Sequence, residues 1–266
     1  MTGDKQNDGG KEKIPARRLM NDGLAHGDPD GINSQSRISE NRNREFFAGF
    51  VNEYQKQIDG LDGYINIRRH LDCALRGVRH LCDVGNGGVF DYDVAALPKI
   101  TAVDLFFAGG RESNPNGGNM VFVRGSALEL PFPDGSFDGA LLSMLLHHLT
   151  GESVAANQAC LDRALREAHR VLQVGGKCVV LESCLPNLVY RMEQTLYPLS
   201  KWLITRCLTH PPTFQYSLER LAGAMEALFG NCSVQLIPRG RWQIFLGAKL
   251  PSILLPTWPV LFESNK

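Results

Sequence analysis

The pattern of hydrophobic and polar positions divides this chain into three parts. Residues 1–39 are polar, rich in Gly, Asp and Asn, and show no apolar period. Such a segment buries too little apolar surface to offset the entropy lost on ordering, so we expect a disordered or loosely ordered arm. Residues 40–77 have helical spacing and predict two cap helices that meet at a glycine turn over residues 60–63. Their apolar positions recur every four residues, at Phe46, Phe50, Tyr54, Ile67, Leu71 and Leu75.

From residue 78 to residue 266, short apolar runs alternate with helical stretches. A helix is predicted over 157–174, ended by Gly175 and Gly176. Strands that alternate with helices predict parallel βαβ units, in which helices cover both faces of one sheet. In such a sheet the ligand site lies beyond the carboxyl ends of the strands. The strand-length runs are 79–84, 100–105, 120–123, 137–142 and 178–181.

The last third of the chain interrupts this alternation. Residues 186–216 are unusually apolar and aromatic, and we interpret them as a helical insertion that caps the pocket. A packed helix pair without substrate contact is the alternative. Residues 217–229 predict a further amphipathic helix, and 233–237 and 242–248 predict the last two strands.

Composition and charge exclude several classes of function. Lys plus Arg equals Asp plus Glu at 28 each, so no global positive field exists to attract nucleic acid. Seven cysteines are scattered without a zinc-ligand spacing, which is typical of buried thiols in a reducing compartment, and no metal is predicted. The amino terminus lacks a signal-peptide core, and no apolar stretch reaches the roughly 20 residues that span a bilayer. We therefore expect a cytoplasmic protein without a membrane span.

The first predicted strand leads into a glycine-rich turn, DVGNGG, at residues 83–88. Glycines allow positive φ and a close approach of the backbone to a ligand. Asp104 closes the second strand, where a carboxylate can accept hydrogen bonds from both hydroxyls of an adenosine ribose. Phe90 stands where a dinucleotide fold needs its third glycine, so nicotinamide cofactors are disfavoured. By itself the pair of glycine turn and acid fits any adenosine cofactor or a purely structural role.

Two longer segments narrow this choice. RGSALELPFPDGSFDGALLSMLLHHL at 124–149 and LREAHRVLQVGGKCVVLE at 165–182 resemble the class I S-adenosylmethionine-dependent methyltransferases that act on small molecules. This resemblance implies an α/β fold with a Rossmann-like, seven-stranded, mostly parallel sheet, helices on both faces and a helical cap. It also implies S-adenosyl-L-methionine as cofactor.

The resemblance assigns cofactor-binding roles to ten residues. Ser126 stands where the family usually has an Asp for the adenine amino group, and Val89 replaces the last glycine of the family's turn. The ten residues are Asp83, Gly85, Asn86, Gly87, Asp104, Leu105, Ser126, Ala127, Leu128 and Ser143.

His147 and His148 follow the fourth strand and are the candidate catalytic residues. Methyl transfer from a sulfonium needs mainly alignment, and a base helps when the methylated group must lose a proton. Imidazole is suited to that task near neutral pH. The competing interpretation is that both histidines only pack or cap. Glu182, at the end of the fifth strand, could face the substrate, but carboxylates at strand ends are more often solvated, and we expect it to be solvated.

Two classes of function stay open from the sequence. The first is an enzyme that methylates an O, N or C atom of a small, apolar acceptor substrate. The second is a methyltransferase-like domain that binds the cofactor without methylating, as a partner subunit or a cyclising enzyme. Ser126 and the altered glycine turn favour the second class, whereas Asp104 and the paired histidines favour the first. The oligomeric state is not set by the sequence.

Overall fold

The computed structural model describes residue 58 and residues 61–107, 118–207, 210–245 and 248–266, apart from the side chain of Thr205. The predicted arm over 1–39 and the first predicted cap helix, with Phe46 and Tyr54, lie outside these residues. The boundaries predicted at residues 40 and 78 stay predictions. No helix in the described ranges is long and apolar enough to cross a membrane.

The strands alternate with helices as the apolar runs predict. They are β1 (His80–Val84), β2 (Lys99–Asp104), β3 (Met120–Arg124), β4 (Phe137–Ser143), β5 (Leu172–Cys184), β6 (Ser233–Leu236), β7 (Trp242–Phe245), β8 (Ala248–Pro251) and β9 (Trp258–Asn265). Seven of them form one sheet in the order β3-β2-β1-β4-β5-β9-β6. The first five are mutually parallel, and β9 runs antiparallel to both of its neighbours. The predicted α/β class and seven-stranded, mostly parallel sheet are confirmed.

Helices cover both faces of this sheet. Leu161 and Leu165 of α2 pack in one core cluster with Leu221 of α4, and Ile67 and Leu71 of α1 belong to a second cluster. The helix bounds are α1 (Asp62–Ala74), α2 (Val154–Val171), α3 (Asn187–Cys207) and α4 (Leu218–Phe229).

One predicted strand and one predicted helix end are wrong. The run 242–248 does not supply the last strand of the sheet, because β7 pairs only with β8 in a separate hairpin. The last strand is β9, whose Pro259 lies near the strand's start, where the ladder tolerates a missing N–H. The helix predicted to continue to residue 174 ends at Val171, since Leu172 is already extended and pairs with Phe137.

Helix α3 lies within the predicted insertion at 186–216. Its inner residues Tyr190 and Tyr197 are buried and pack edge-on against Phe214, from the segment that follows the helix. The insertion is therefore anchored beside the carboxyl edge of the sheet.

Candidate active site

A cavity of about 270 Å³ lies at the carboxyl edge of the parallel strands. One half is lined by the glycine turn after β1 and by the ends of β2 and β4. The other half is lined by the segment after β4, by residues after α3 and by strand β7. We call the part beside the glycine turn the first compartment and the part beside the histidines the second compartment.

The glycine turn brings the backbone close to the cavity. Gly85 has a φ of +76°, a conformation that is strained for residues with a side chain, and a Cβ built on it would also meet the side chain of Leu145. Gly87 has a φ of +60°, and a Cβ there would meet no described atom within 4 Å. The chain at Gly87 therefore faces open space within the cavity lining.

Asp104 stands at the end of β2, beside this turn. Its carboxylate accepts hydrogen bonds from the backbone N–H of Gly87 at 2.8 Å and of Phe106 at 3.0 Å. Burial raises the pKa of Asp104 to about 6, although these hydrogen bonds oppose the rise. Because Asp104 lines the cavity, its remaining lone pairs can accept hydrogen bonds from a ligand's hydroxyl groups.

Asp83 is held inside the turn. Its Oδ2 accepts hydrogen bonds from the Tyr92 hydroxyl at 2.7 Å and from the Asn86 side-chain amide at 2.8 Å. The same amide donates to the Val89 carbonyl oxygen at 2.7 Å. Burial raises the pKa of Asp83 to about 7. Both residues line the cavity, but these contacts make them supports of the turn as well as ligand-facing groups.

A buried hydroxyl group without a partner among the described residues indicates that the first compartment fits a polar ligand. Ser143 Oγ, at the end of β4, is buried and has no hydrogen-bond partner among the described residues. Ser143 also lines the cavity, so a ligand amino or carboxyl group would satisfy it. With the Asp104 carboxylate and the open backbone at Gly87, the compartment fits a nucleoside cofactor that carries a polar tail.

His147 lines the second compartment, and its ring contacts the side chain of Glu182, which is not part of the lining. His147 Nδ1 lies 2.6 Å from Glu182 Oε1, and the fully buried carboxylate also accepts from the backbone N–H of Ser183 at 2.9 Å. Because a carboxylate only accepts, this contact requires the hydrogen on Nδ1 of His147. Our expectation that Glu182 is solvated is wrong, because β5 continues to Cys184 and Glu182 is buried within the ladder that β5 forms with β9.

His148 differs from its neighbour. Burial, reinforced by His147 and then His210, holds the pKa of His148 well below its ordinary value. The His148 and His210 rings stack with centroids 5.6 Å apart. A neutral imidazole of low basicity is a poor proton acceptor, so His147 is the better candidate for a base.

The second compartment also contains unpartnered amide oxygens. Gln215 Oε1 and Gln243 Oε1 are buried and have no hydrogen-bond partner in the described part of the chain, and both residues line the cavity. Trp242, Ile244 and Phe245 of the hairpin supply apolar walls beside them. This compartment can therefore hold a largely apolar molecule that carries hydrogen-bond donors.

The cavity brings together most of the residues that the sequence singled out. Among the described residues its lining does not include Ser126 or Leu128; the Ser126 hydroxyl instead accepts from Leu128 N at 3.1 Å. Those that line it are Asp83, Gly85, Asn86, Gly87, Asp104, Leu105, Ala127, Ser143, His147 and His148.

Sequence reasoning missed several lining residues. Tyr92 is not part of any recognisable motif. His210 and Gln215 lie in the insertion, whose sequence matches no known motif. The hairpin residues were assigned to the sheet. The residues Trp, Gln, Ile and Phe at 242–245 are typical of any strand. Nothing in this sequence therefore indicates that they line a pocket.

Comparison with known proteins agrees with this geometry. Residues 82–180 match the family described as a methyltransferase domain. The ubiquinone/menaquinone biosynthesis C-methyltransferase UbiE of Vibrio parahaemolyticus is 39% identical over 172 residues, which are 59% of this chain and 60% of that protein. A demethylmenaquinone methyltransferase of Staphylococcus aureus is 28% identical over 172 residues, 58% of this chain and 68% of that protein. The chain thus spans about 60% of the length of the first of these relatives.

Among solved structures, the 1,6-didemethyltoxoflavin-N1-methyltransferase of Burkholderia thailandensis superposes with a TM-score of 0.60 at 16% identity. The match covers 87% of this chain and 90% of that one, and that structure contains bound 1,6-didemethyltoxoflavin and S-adenosylhomocysteine. At this identity the likeness supports the fold alone.

Proposed function

We propose that this chain, which carries a class I S-adenosylmethionine-dependent methyltransferase domain, transfers a methyl group to a small molecule held beside His147. The observation that carries the proposal is one cavity whose lining includes Asp104, Gly87 and His147, with the His147 ring in contact with Glu182. Family membership of residues 82–180 supports the cofactor, and the second compartment supports a separate acceptor.

Three residues would hold the cofactor. Asp104 would accept hydrogen bonds from the ribose hydroxyls. Gly87, which has no side chain, would leave space beside the backbone for the cofactor's polar tail. Ser143 Oγ would form a hydrogen bond with a polar group of that tail. When bound, the cofactor supplies a methyl group already activated on a sulfonium. The protein's main task is then to align the acceptor atom with that methyl group, because alignment alone contributes up to roughly 7–11 kcal/mol.

His147 would remove the acceptor's proton. Glu182 fixes the tautomer with Nδ1 protonated, so Nε2 is the basic atom, and the carboxylate stabilises the imidazolium that forms. A general base of this kind contributes about 10²–10⁴-fold. His148, whose low pKa keeps it neutral, would act as an apolar wall beside the acceptor.

The acceptor that fits best is a largely apolar molecule with a hydroxyl or N–H group. Gln215 and Gln243 each offer an unpartnered oxygen to such a donor, and Trp242 and Phe245 line the apolar surface around it. The Vibrio relative is named as a C-methyltransferase, which favours carbon as the methylated atom. Loss of a hydroxyl proton to His147 would raise the nucleophilicity of a conjugated carbon.

Two measurements test this proposal. Calorimetry with S-adenosylhomocysteine should show binding that Asp104→Ala weakens by at least about tenfold, the worth of one charge-assisted hydrogen bond. Methyl-labelled S-adenosylmethionine should then label a small molecule from a lipid-rich cell extract. Wild-type affinity in Asp104→Ala would contradict the cofactor assignment. Tight binding with no labelled product would favour a domain that holds the cofactor without methylating.

A further inference from the structure

Helix α3 turns an apolar face away from the protein. Six large side chains on it are between 48% and 73% exposed. The first four follow one another at intervals of three and four residues, and the last two lie three and four residues after the fourth, so all six share one side of the helix. We call this set the outer stripe: Leu188, Met192, Leu196, Leu199, Trp202 and Leu203. A continuous exposed apolar surface of this kind marks a binding surface.

The opposite side of α3 fixes the helix to the core. Tyr197 is buried with its ring centroid 5.1 Å from that of Phe214, and Glu193 Oε1 accepts a hydrogen bond from the backbone N–H of Gln215 at 3.1 Å. Gln215 lines the second compartment. The outer stripe therefore belongs to a firmly packed helix whose inner side adjoins the cavity wall.

Charge on the exposed side of α3 has one sign. Arg191 and Arg206 are exposed, and no Asp or Glu is exposed among the α3 residues whose side chains the structure describes. Lys201 instead turns inward to Glu152, with Nζ 2.7 Å from Oε2. An apolar stripe with a tryptophan and flanking arginines complements a surface that has an apolar interior and an anionic outer layer.

A second exposed apolar element lies at the same edge of the sheet. Cys184, the last residue of β5, pairs with Trp258, the first residue of β9, so the turn before β9 and the helix after β5 emerge together. That turn presents Ile253 and Leu254, which are 88% and 70% exposed. The cavity also lies at this edge of the sheet.

We propose that the outer stripe docks this protein on the surface of an anionic lipid bilayer, with the carboxyl edge of the sheet facing the headgroups. The leucines and Trp202 would enter the boundary between headgroups and acyl chains, and Arg191 and Arg206 would lie near lipid phosphates. Docking needs neither cofactor nor acceptor, so it stands apart from the proposed methyl transfer. It would bring the second compartment to apolar molecules dissolved in the bilayer.

Vesicle sedimentation with the full chain tests the docking surface. The probes are phosphatidylcholine vesicles with and without about one-third phosphatidylglycerol. The wild type should bind the anionic vesicles, and Leu196→Gln with Leu199→Gln should lower the partition coefficient by at least about a hundredfold, roughly tenfold per leucine removed from lipid. Arg191→Gln with Arg206→Gln should remove the preference for anionic vesicles. The matched control is Val174→Gln, because Val174 is 90% exposed at the amino end of β5 and should bind as the wild type does.

Three results would overturn the proposal. A wild type that stays in the supernatant with both vesicle types contradicts it directly. If the wild type is a dimer in sedimentation velocity and the double leucine variant is a monomer, the outer stripe binds a second copy of the chain. A fall of several degrees in the thermal midpoint of the leucine variant would mean that residues 1–57 cover the stripe within the chain, since replacing exposed side chains costs little stability.

Discussion

At the scale of single residues, the contact between His147 and Glu182 is the one on which the proposed chemistry depends. We expect His147→Ala to lower kcat by about 10²–10⁴-fold, the range for loss of a general base. Glu182→Gln should lower kcat by at least about tenfold, because the amide loses the charge that stabilises the imidazolium. Steady-state kinetics on the labelled acceptor measures both effects.

The two changes should not add. With His147 absent, Glu182 has no ring to position, so the double variant should be no slower than His147→Ala alone. His169→Ala is the control, because His169 packs on Phe229 away from the cavity. Additive losses in the double variant would mean that Glu182 acts on the fold rather than through His147.

Asp104 makes cofactor affinity depend on pH. Its folded-state pKa is raised to about 6 by burial, and the ionised form accepts ribose hydroxyls better than the protonated form. Affinity for S-adenosylhomocysteine should therefore fall up to about tenfold for each pH unit below that pKa and level off above it. Asp104→Asn should bind more weakly and with little change between about pH 5 and pH 8. Calorimetry across this range checks it, and an equal slope in both proteins would contradict the assignment.

At the scale of elements, Arg170 of α2 ties down the loop that follows Ala127. Its guanidinium donates to the Leu130 and Phe132 carbonyl oxygens at 2.9 and 2.7 Å, and to Glu167 at 2.7 Å. Arg170→Met should lower the free energy of unfolding by about 2 kcal/mol, because two carbonyls and a carboxylate lose their donor. Urea unfolding measures this difference.

A matched variant on the same helix isolates the effect of these bonds. Arg166 is exposed, so Arg166→Met should change stability by no more than about 0.5 kcal/mol. The loop that Arg170 holds follows directly after Ala127, which lines the cavity. Arg170→Met should therefore also weaken cofactor binding, because Ala127 would be held less firmly. Equal stability of the two variants would show that water replaces the Arg170 contacts.

At the scale of the whole molecule, the sequence predicts what local periodicity encodes. The parallel strands, α2 and the glycine turn follow from patterns within a few residues, and the structure confirms them. The identity of the last strand depends on which of two apolar runs finds room between β5 and β6, which is a tertiary choice. The correct run, β9, contains Pro259, and proline is uncommon in strands that have a neighbour on both sides.

The same distinction applies to the site. Asp104 and the glycines could be found because their roles require fixed residue types at fixed strand ends. Glu182 lies 35 positions from His147 in sequence, and only the pairing of β4 with β5 brings them together. His210 and Gln215 reach the cavity through the path of the insertion, for which no short-range rule exists.

Asp83 connects the site to the pH dependence of global stability. Its folded pKa is raised to about 7 by burial, above the ordinary value of an unfolded aspartate, so between the two pKa values the folded chain holds a proton that the unfolded chain has lost. The stability from this group is present below about pH 4 and is lost as the pH rises through about 7. Asp83→Asn mimics the protonated form and keeps an acceptor for the Tyr92 hydroxyl.

The wild type should therefore lose stability relative to Asp83→Asn by up to about 1.4 kcal/mol for each pH unit between those values. Urea unfolding of both proteins at several pH values gives the difference directly, and taking the difference cancels the other titrating groups. A difference that does not change with pH would mean that Asp83 is already ionised in the folded chain. The Tyr92 and Asn86 hydrogen bonds would then outweigh its burial, and the glycine turn would carry two negative charges, on Asp83 and Asp104, beside the proposed cofactor site.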